Sequence, residues 1–151
     1  MPSTTVTPPA SDTLAVANRL RPVLLKLSRE LRRESHSLGV TGGQVTLLVA
    51  IKASPGIGVR DLAAQEGISV PGMSKAIDRL ERAGLVVGTQ SGADRRRVGL
   101  SLTADGERVL RSVKSKRTAW LAARLRRLGP EELEAVDAAI APLALLLGEN
   151  A

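Results

Sequence analysis

The sequence predicts a mainly α-helical protein with one small β-hairpin, and three observations support this fold class. Apolar residues recur at helical spacing over most of the chain. One stretch, residues 85–102, changes to a period of two, which is typical of paired strands. Glycines and prolines separate the periodic segments. At 151 residues the chain fits one domain, and its core must be aliphatic because Trp120 is the only aromatic residue.

The composition limits the possible classes of function. The chain has no cysteine, which excludes disulfides, thiolate metal sites and thiol redox switching. It has one histidine, no glycine-rich phosphate loop and no nucleophile elbow, so we expect neither an enzyme nor a cofactor or metal site. We find no signal peptide and no apolar run long enough to span a bilayer, and we expect a cytoplasmic protein without a membrane partner. The net charge of +7 indicates an anionic partner.

The first half of the chain reads as a leader followed by helices. Residues 1–11, rich in Pro, Ser and Thr, are expected to be a disordered leader, and residues 12–151 a single domain. A long helix is predicted from Asp12, kinked at Pro22. A compact apolar helix over residues 41–53 follows, and residues 57–59 suggest a short strand.

Residues 60–84 predict a helix-turn-helix. A short helix ends before Gly67, and Ser69 is suited to cap a second helix that Gly84 ends. Pro71 lies in its first turn, where a missing N–H costs little. The apolar residues of this second helix share one stripe, which consists of Met73, Ala76, Ile77 and Leu80.

The period-two stretch predicts a hairpin, called the wing below. One strand covers residues 85–90, a turn covers residues 91–94, and the chain returns through Val98, Leu100 and Leu102. We expect the connecting loop to carry Arg95, Arg96 and Arg97. A helix capped by Thr103 then runs to about Leu128, and a last helix begins at Pro130.

The two terminal helices carry apolar residues at alternating spacings of three and four. They can pack on each other within one chain, or they can build a two-fold interface with a second copy. We favour the homodimer, because helix-turn-helix proteins use two reading helices about one DNA turn apart. The expected interface residues are Leu20, Leu24, Leu27, Leu133, Val136, Ile140, Leu143 and Leu147.

A polar-faced helix followed by a basic hairpin is typical of proteins that hold double-stranded DNA. The polar face alone is equally compatible with an ordinary solvated surface, and the hairpin decides in favour of DNA. Asp78 and Asp94 are anionic, so we expect them to organise the wing through ion pairs rather than to contact DNA. The expected DNA-binding residues are Ser69, Pro71, Gly72, Ser74, Lys75, Arg79, Arg95, Arg96 and Arg97.

Three segments resemble the MarR (multiple antibiotic resistance) family of winged helix-turn-helix regulators. They are DRLERAGLV at residues 78–86, DRRR at residues 94–97, and LSLTADG at residues 100–106. The resemblance covers residues 12–147. It implies a winged helix-turn-helix over residues 41–103 between dimerisation helices at residues 12–36 and 104–147.

The resemblance also implies the function. We expect a homodimeric transcription regulator, most simply a repressor, on a palindromic operator, with Arg96 as the arginine that enters the minor groove. A small aromatic or phenolic anion is expected to release the DNA from a groove between residues 38–53 and the helix after Thr103. With so few aromatic residues, that groove must be lined by Leu, Val, Ile and Arg. The alternative is a helical interaction protein of the same fold that heterodimerises without reading DNA.

Overall fold

The computed structural model describes residues 10–91 and 94–148, with side-chain surroundings for residues 12–89 and 99–148. The described elements confirm a mainly α-helical fold with a two-stranded antiparallel hairpin. In chain order they are α1 (Ala10–Arg33), a 3₁₀ turn (His36–Leu38), α2 (Gly42–Ala53), α3 (Val59–Glu66), α4 (Val70–Arg82), β1 (Val86–Ser91), β2 (Asp94–Leu102), α5 (Ala104–Leu125) and α6 (Pro130–Leu145).

Several boundaries differ from the sequence-based prediction. Helix α1 begins at Ala10, so the last two residues expected in the leader are helical, whereas residues 1–9 lie outside the described residues. The chain passes Pro22 without leaving the helix. Ile57 forms only an isolated bridge with Leu100, because the chain turns into α3 at Val59. Helix α5 ends at Leu125, three residues early.

The buried core lies between α2, α3, α4, the hairpin and the first half of α5. We call α2, α3, α4, β1 and β2 the central lobe. Helix α2 is buried along half of its residues, as its apolar sequence predicts. Burying aliphatic side chains of this size stabilises the fold by about 1.5–3 kcal/mol each. The most deeply buried members are Leu48, Ile51, Leu62, Met73, Leu80 and Leu100.

Side-chain caps begin three of the helices where the sequence predicts them. The Thr41 hydroxyl accepts a hydrogen bond from the Gln44 N–H at 3.1 Å, and the Gln44 side chain accepts one from the Thr41 N–H at 2.9 Å. This reciprocal pair is a capping box. The Thr103 hydroxyl likewise accepts from the Gly106 N–H at 3.0 Å. Each such cap satisfies an N–H that the helix itself leaves without a partner.

Thr103 also joins α5 to the end of α4. Its hydroxyl donates to the Gly84 carbonyl at 2.6 Å, and its N–H donates to the Leu85 carbonyl at 3.1 Å. Gly106 packs against the same carbonyl so closely that a Cβ atom there would lie 2.2 Å from the Leu85 oxygen. We call Gly84, Leu85, Thr103 and Gly106 the α4–α5 junction. It fixes the start of α5 to the central lobe.

The terminal helices leave much apolar surface uncovered in one chain. Helix α1 packs on α5, and α6 has no buried residue within the described part of the chain. Of the eight residues expected at a dimer interface, Leu20 and Leu143 are half-buried and the others are exposed. Nowhere in the described residues does a helix combine the length and the hydrophobicity that crossing a bilayer demands.

The α4–α5 junction generates a stability prediction. Gly106→Ala should destabilise the protein by about 1–3 kcal/mol, because the new methyl group forces the backbones of α5 and Leu85 apart. Gly43→Ala is the matched control, since its Cβ atom would meet nothing closer than the Thr41 hydroxyl at 3.9 Å. The control should be neutral or stabilised by up to about 1 kcal/mol. Thermal melts at equal protein concentration compare the two, and equal midpoints would contradict the tight junction.

Candidate nucleic-acid interface

The second helix of the helix-turn-helix, α4, is held with one face on the core and the other in solvent. The Ser69 hydroxyl accepts a hydrogen bond from the Gly72 N–H at 3.2 Å and begins the helix. Gly84, at a φ of 75°, allows the chain to leave the helix in the left-handed conformation. Met73, Ile77 and Leu80 are buried, as their spacing predicts. These contacts fix which residues of α4 face outward.

The outward face of α4 carries the residues that the sequence predicts to bind DNA. Lys75 and Arg79 are exposed and lie one turn apart on the same side of the helix. Ser74 and Gly72 are half-buried and Pro71 is exposed. Among the described side chains, none forms an ion pair with Lys75 or Arg79.

Asp78 lies on this exposed face and forms no ion pair with any described side chain. Its expected role in organising the wing therefore stays a prediction. Asp94, the other acid expected to organise the wing, is the first residue of β2, and its side chain lies outside the described residues.

The backbone of the wing differs from the expected loop. Arg95, Arg96 and Arg97 belong to strand β2 and not to the connection between the strands. Pairing is regular from Val86 opposite Leu102 to Gln90 opposite Val98, and the register then shifts so that Ser91 faces Asp94. The three arginines lie within this irregular part of the strand. Their side chains lie outside the described residues, so their expected contacts with DNA stay predictions.

The base of the wing is tied to the central lobe. The Gly56 N–H donates to the Leu100 carbonyl at 2.8 Å, and the Leu100 N–H donates to the Ile57 carbonyl at the same distance. A Cβ atom on Gly99 would lie 3.0 Å from the Gly56 backbone, which shows how closely the two segments pass. Backbone contacts therefore fix β2 against the turn between α2 and α3.

A cavity of about 410 Å³ lies between α2 and α5, in the groove that the sequence analysis expects to hold an effector. Its lining is apolar at the base and cationic at the rim. The lining contains the expected leucine, valines and arginines, but it has two lysines and a threonine where we expected isoleucine. The lining residues are Val45, Val49, Lys52, Leu110, Arg111, Val113, Lys114, Arg117 and Thr118.

The cations of the cavity differ in their partners. Lys52 forms an ion pair of 2.9 Å with Glu107. Arg111 and Lys114 are exposed and form no ion pair with a described side chain. Burial lowers the pKa of the Arg117 guanidinium, and the positive charge of Arg32 lowers it further. The cavity therefore carries excess positive charge and suits an anion with an apolar body.

Arginine was expected in this groove, but Arg111, Lys114 and Arg117 were not individually predicted to line it. Arg111, Lys114 and Arg117 are spaced three residues apart, beside the apolar pair Leu110 and Val113. A basic stripe next to an apolar stripe on one helix was the available signal, but a solvated helix face produces the same pattern. Within the described residues, no group of three or more His, Cys, Asp or Glu side chains is placed to hold a metal ion.

Comparison with known proteins identifies relatives of this fold and sequence. The family model described as MarR family matches residues 38–97, which include the helix-turn-helix and most of the wing. An uncharacterized HTH-type transcriptional regulator, YfiV of Bacillus subtilis (strain 168), is 32% identical over 108 residues, 72% of this chain and 67% of that protein. The HTH-type transcriptional repressor MdtR of the same organism is 29% identical over 114 residues, 76% of this chain and 74% of that protein.

A solved structure agrees with the whole fold. The crystal structure of a putative transcriptional regulator from Pseudomonas aeruginosa PA01 superposes with a TM-score of 0.78 at 31% sequence identity. The alignment covers 95% of this chain and 100% of that one. The terminal helices are therefore part of the shared architecture, together with the central lobe.

Proposed function

This chain belongs to the MarR family of DNA-binding transcription regulators, and on that premise we propose that it is a homodimeric repressor of a palindromic operator, released by a small anion. The observation that carries the proposal is the outward face of α4. Its exposed cations Lys75 and Arg79 lack described ion-pair partners, while the opposite side of the helix is anchored in the core. The repressor assignment is supported by the name of the relative MdtR.

Helix α4 and the wing make different contributions to DNA binding. The exposed face of α4 enters the major groove, where all four base pairs are distinguishable, so its residues supply sequence discrimination. The arginines of β2 supply attraction that does not depend on sequence, through phosphates and the negative potential of a narrow minor groove. Among them we assign Arg96 to the minor groove, with Asp94 as its partner.

This division predicts two different mutant phenotypes. Lys75→Ala should reduce the preference for the operator by roughly 1–3 kcal/mol per lost base contact, with a smaller effect on scrambled duplex. Arg96→Ala should weaken binding to both duplexes and lower the salt dependence by about one unit per lost phosphate contact. Fluorescence anisotropy over a salt series, on an operator selected from random duplexes, measures both quantities.

Lys26→Ala is the control for these variants, because it removes one exposed charge from α1 at a distance from α4. Circular dichroism establishes that each variant is folded. Equal losses for Lys75→Ala and Arg96→Ala on both duplexes would refute the division of labour. Unchanged binding in both folded variants would refute DNA reading by this surface and favour a protein that heterodimerises without reading DNA.

The proposal of a homodimer rests on apolar surface that a single chain leaves exposed to solvent. Leu24 and Leu27 on α1 are 43% and 38% exposed, and Ile140 and Leu147 on α6 are 61% and 79% exposed. Contiguous apolar surface of this kind marks an interaction site. A two-fold interface between these helices covers the surface and sets two α4 helices about one DNA turn apart.

The interface predicts that Ile140→Asp disrupts assembly, because it places an unpaired charge in the apolar seam. At micromolar concentration the wild type should sediment as a dimer of twice 15.9 kDa, and the variant as a monomer or an unfolded chain. Ala138→Asp is the matched control, since at 100° per residue it lies on the opposite side of α6. A wild-type monomer, or equal dissociation in both variants, would contradict the proposed seam.

The cavity between α2 and α5 is the proposed effector site. Its apolar base suits a ring, and the excess positive charge of Arg111, Lys114 and Arg117 suits a carboxylate or phenolate. An anion that binds the DNA-free conformation more tightly than the DNA-bound one weakens DNA binding. Bound DNA weakens the binding of the anion by the same factor.

Salicylate serves as the probe for this site, with salicylamide as its neutral counterpart. We expect salicylate to weaken operator binding by about 5–150-fold at saturation, the usual range of allosteric coupling, and salicylamide to have little effect. Operator titrations at fixed ionic strength measure the change. Full DNA affinity at saturating salicylate would exclude salicylate as an effector, and equal effects of the two compounds would show that the cavity does not select for charge.

A further inference from the structure

Arg117 is shared between the cavity and helix α1. While it lines the cavity, its Nε–H donates a hydrogen bond of 3.0 Å to the carbonyl of Leu31, which is 86 residues away in the sequence. Leu31 lies in the last turn of α1, where the carbonyls have no N–H partner within the helix. Arg117 therefore supplies the hydrogen bond that the end of α1 lacks.

A second contact from the neighbouring residue joins the same two parts of the chain. The Lys116 ammonium donates to the hydroxyl of Ser37, in the 3₁₀ turn that follows α1. The two contacts come from adjacent residues of α5 and reach the last turn of α1 and the 3₁₀ turn that follows it. Only the Arg117 contact also borders the cavity.

The charge of Arg117 is poorly compensated where it lies. Its bonded partner is a neutral carbonyl, and no described carboxylate forms an ion pair with it. Partial burial and the nearby Arg32 both lower the pKa of its guanidinium, which means that they oppose its charged form. An anion in the cavity is a stronger partner than this neutral carbonyl, because it adds the attraction between opposite charges to the hydrogen bond.

The other end of α5 is fixed to the central lobe through the α4–α5 junction. The cavity residues Leu110, Arg111, Val113 and Lys114 thus lie between an attachment of α5 to the lobe and its attachment to α1. A change at Arg117 alters how α1 is held relative to the lobe. Since α1 carries three of the eight residues of the proposed dimer seam, the same change also alters how the two α4 helices are spaced.

We propose that the Arg117–Leu31 hydrogen bond is a latch that holds the DNA-binding arrangement, and that an anion in the cavity opens it by taking the guanidinium. This inference rests on the proposed function and names the positioning residue through which the effector acts. Arg117 touches no DNA in this account. It acts by fixing α1 against α5.

The test uses Arg117→Met, which keeps the aliphatic stem and removes the donor. The ligand-free variant should bind the selected operator about tenfold more weakly than wild type, within the usual range of allosteric coupling. Saturating salicylate should bring the wild type to the affinity of the variant and change the variant no further. Hydrogen exchange should be faster at the end of α1, residues 31–38, in the variant.

Two control variants and a stability measurement distinguish the effect of losing the latch from the effects of losing a charge or losing stability. Arg127→Met removes an exposed cation from the segment after α5 and should reproduce only the small loss that any lost charge causes. Arg117→Lys, whose ammonium can still reach the Leu31 carbonyl, should retain most of the operator affinity. Thermal melts give the unfolding midpoint of each variant, and all binding measurements are made well below that temperature.

The outcomes distinguish the latch from the proposed function. A folded Arg117→Met variant with a lower melting temperature but wild-type operator affinity would reduce Arg117 to a packing residue and overturn the latch alone. Equal losses in Arg117→Met and Arg127→Met would overturn it as well. A wild-type protein that selects no duplex from the random library would refute the proposed function, and the latch with it.

Discussion

The α4–α5 junction is the contact on which the rest of the structure depends. The Leu85 carbonyl accepts from the Thr103 N–H and lies against Gly106, so α5 cannot move without moving the end of α4 and the start of β1. From this point α5 extends for 22 residues, about 33 Å, across the cavity and along α1. Helix α5 therefore links the end of α4 to α1 through a single continuous element.

The positions of the charged residues indicate where anions can bind, which the net charge alone does not. On α4, exposed cations lie opposite a buried apolar stripe, so burial of one side of the helix holds the other side in solvent. On α5, basic residues surround an apolar cavity and one of them bonds a backbone carbonyl of α1. Both helices therefore offer positive charge at fixed positions. One of these positions suits the phosphates and bases of DNA, and the other suits a small anion.

Short sequence motifs predicted the parts of the fold that depend on residues close together in the chain. Ser69 and Thr103 cap the helices that they were expected to cap, and Gly84 ends α4 with a positive φ, because caps depend only on neighbouring residues. Long-range contacts were not predictable in this way. Residues 95–97 fall in β2 at the point where the register between the two strands shifts, and the Arg117–Leu31 bond joins positions 86 residues apart. Periodicity identified the apolar seams of α1 and α6, but it did not show that α1 packs on α5 within one chain.

The central claim is that the fold presents two α4 helices at a spacing set by α5 and the terminal helices. Because the chain has no cysteine, Glu81→Cys on the exposed side of α4 provides a single spin-label site in each subunit. Pulsed electron paramagnetic resonance then measures the distance between the two labels. The account predicts one narrow distance on the selected operator, governed by the roughly 34 Å between successive major-groove faces. It also predicts a shifted or broader distribution with saturating salicylate. The absence of a distance between subunits, or one distribution common to the free, DNA-bound and salicylate-bound states, would contradict it.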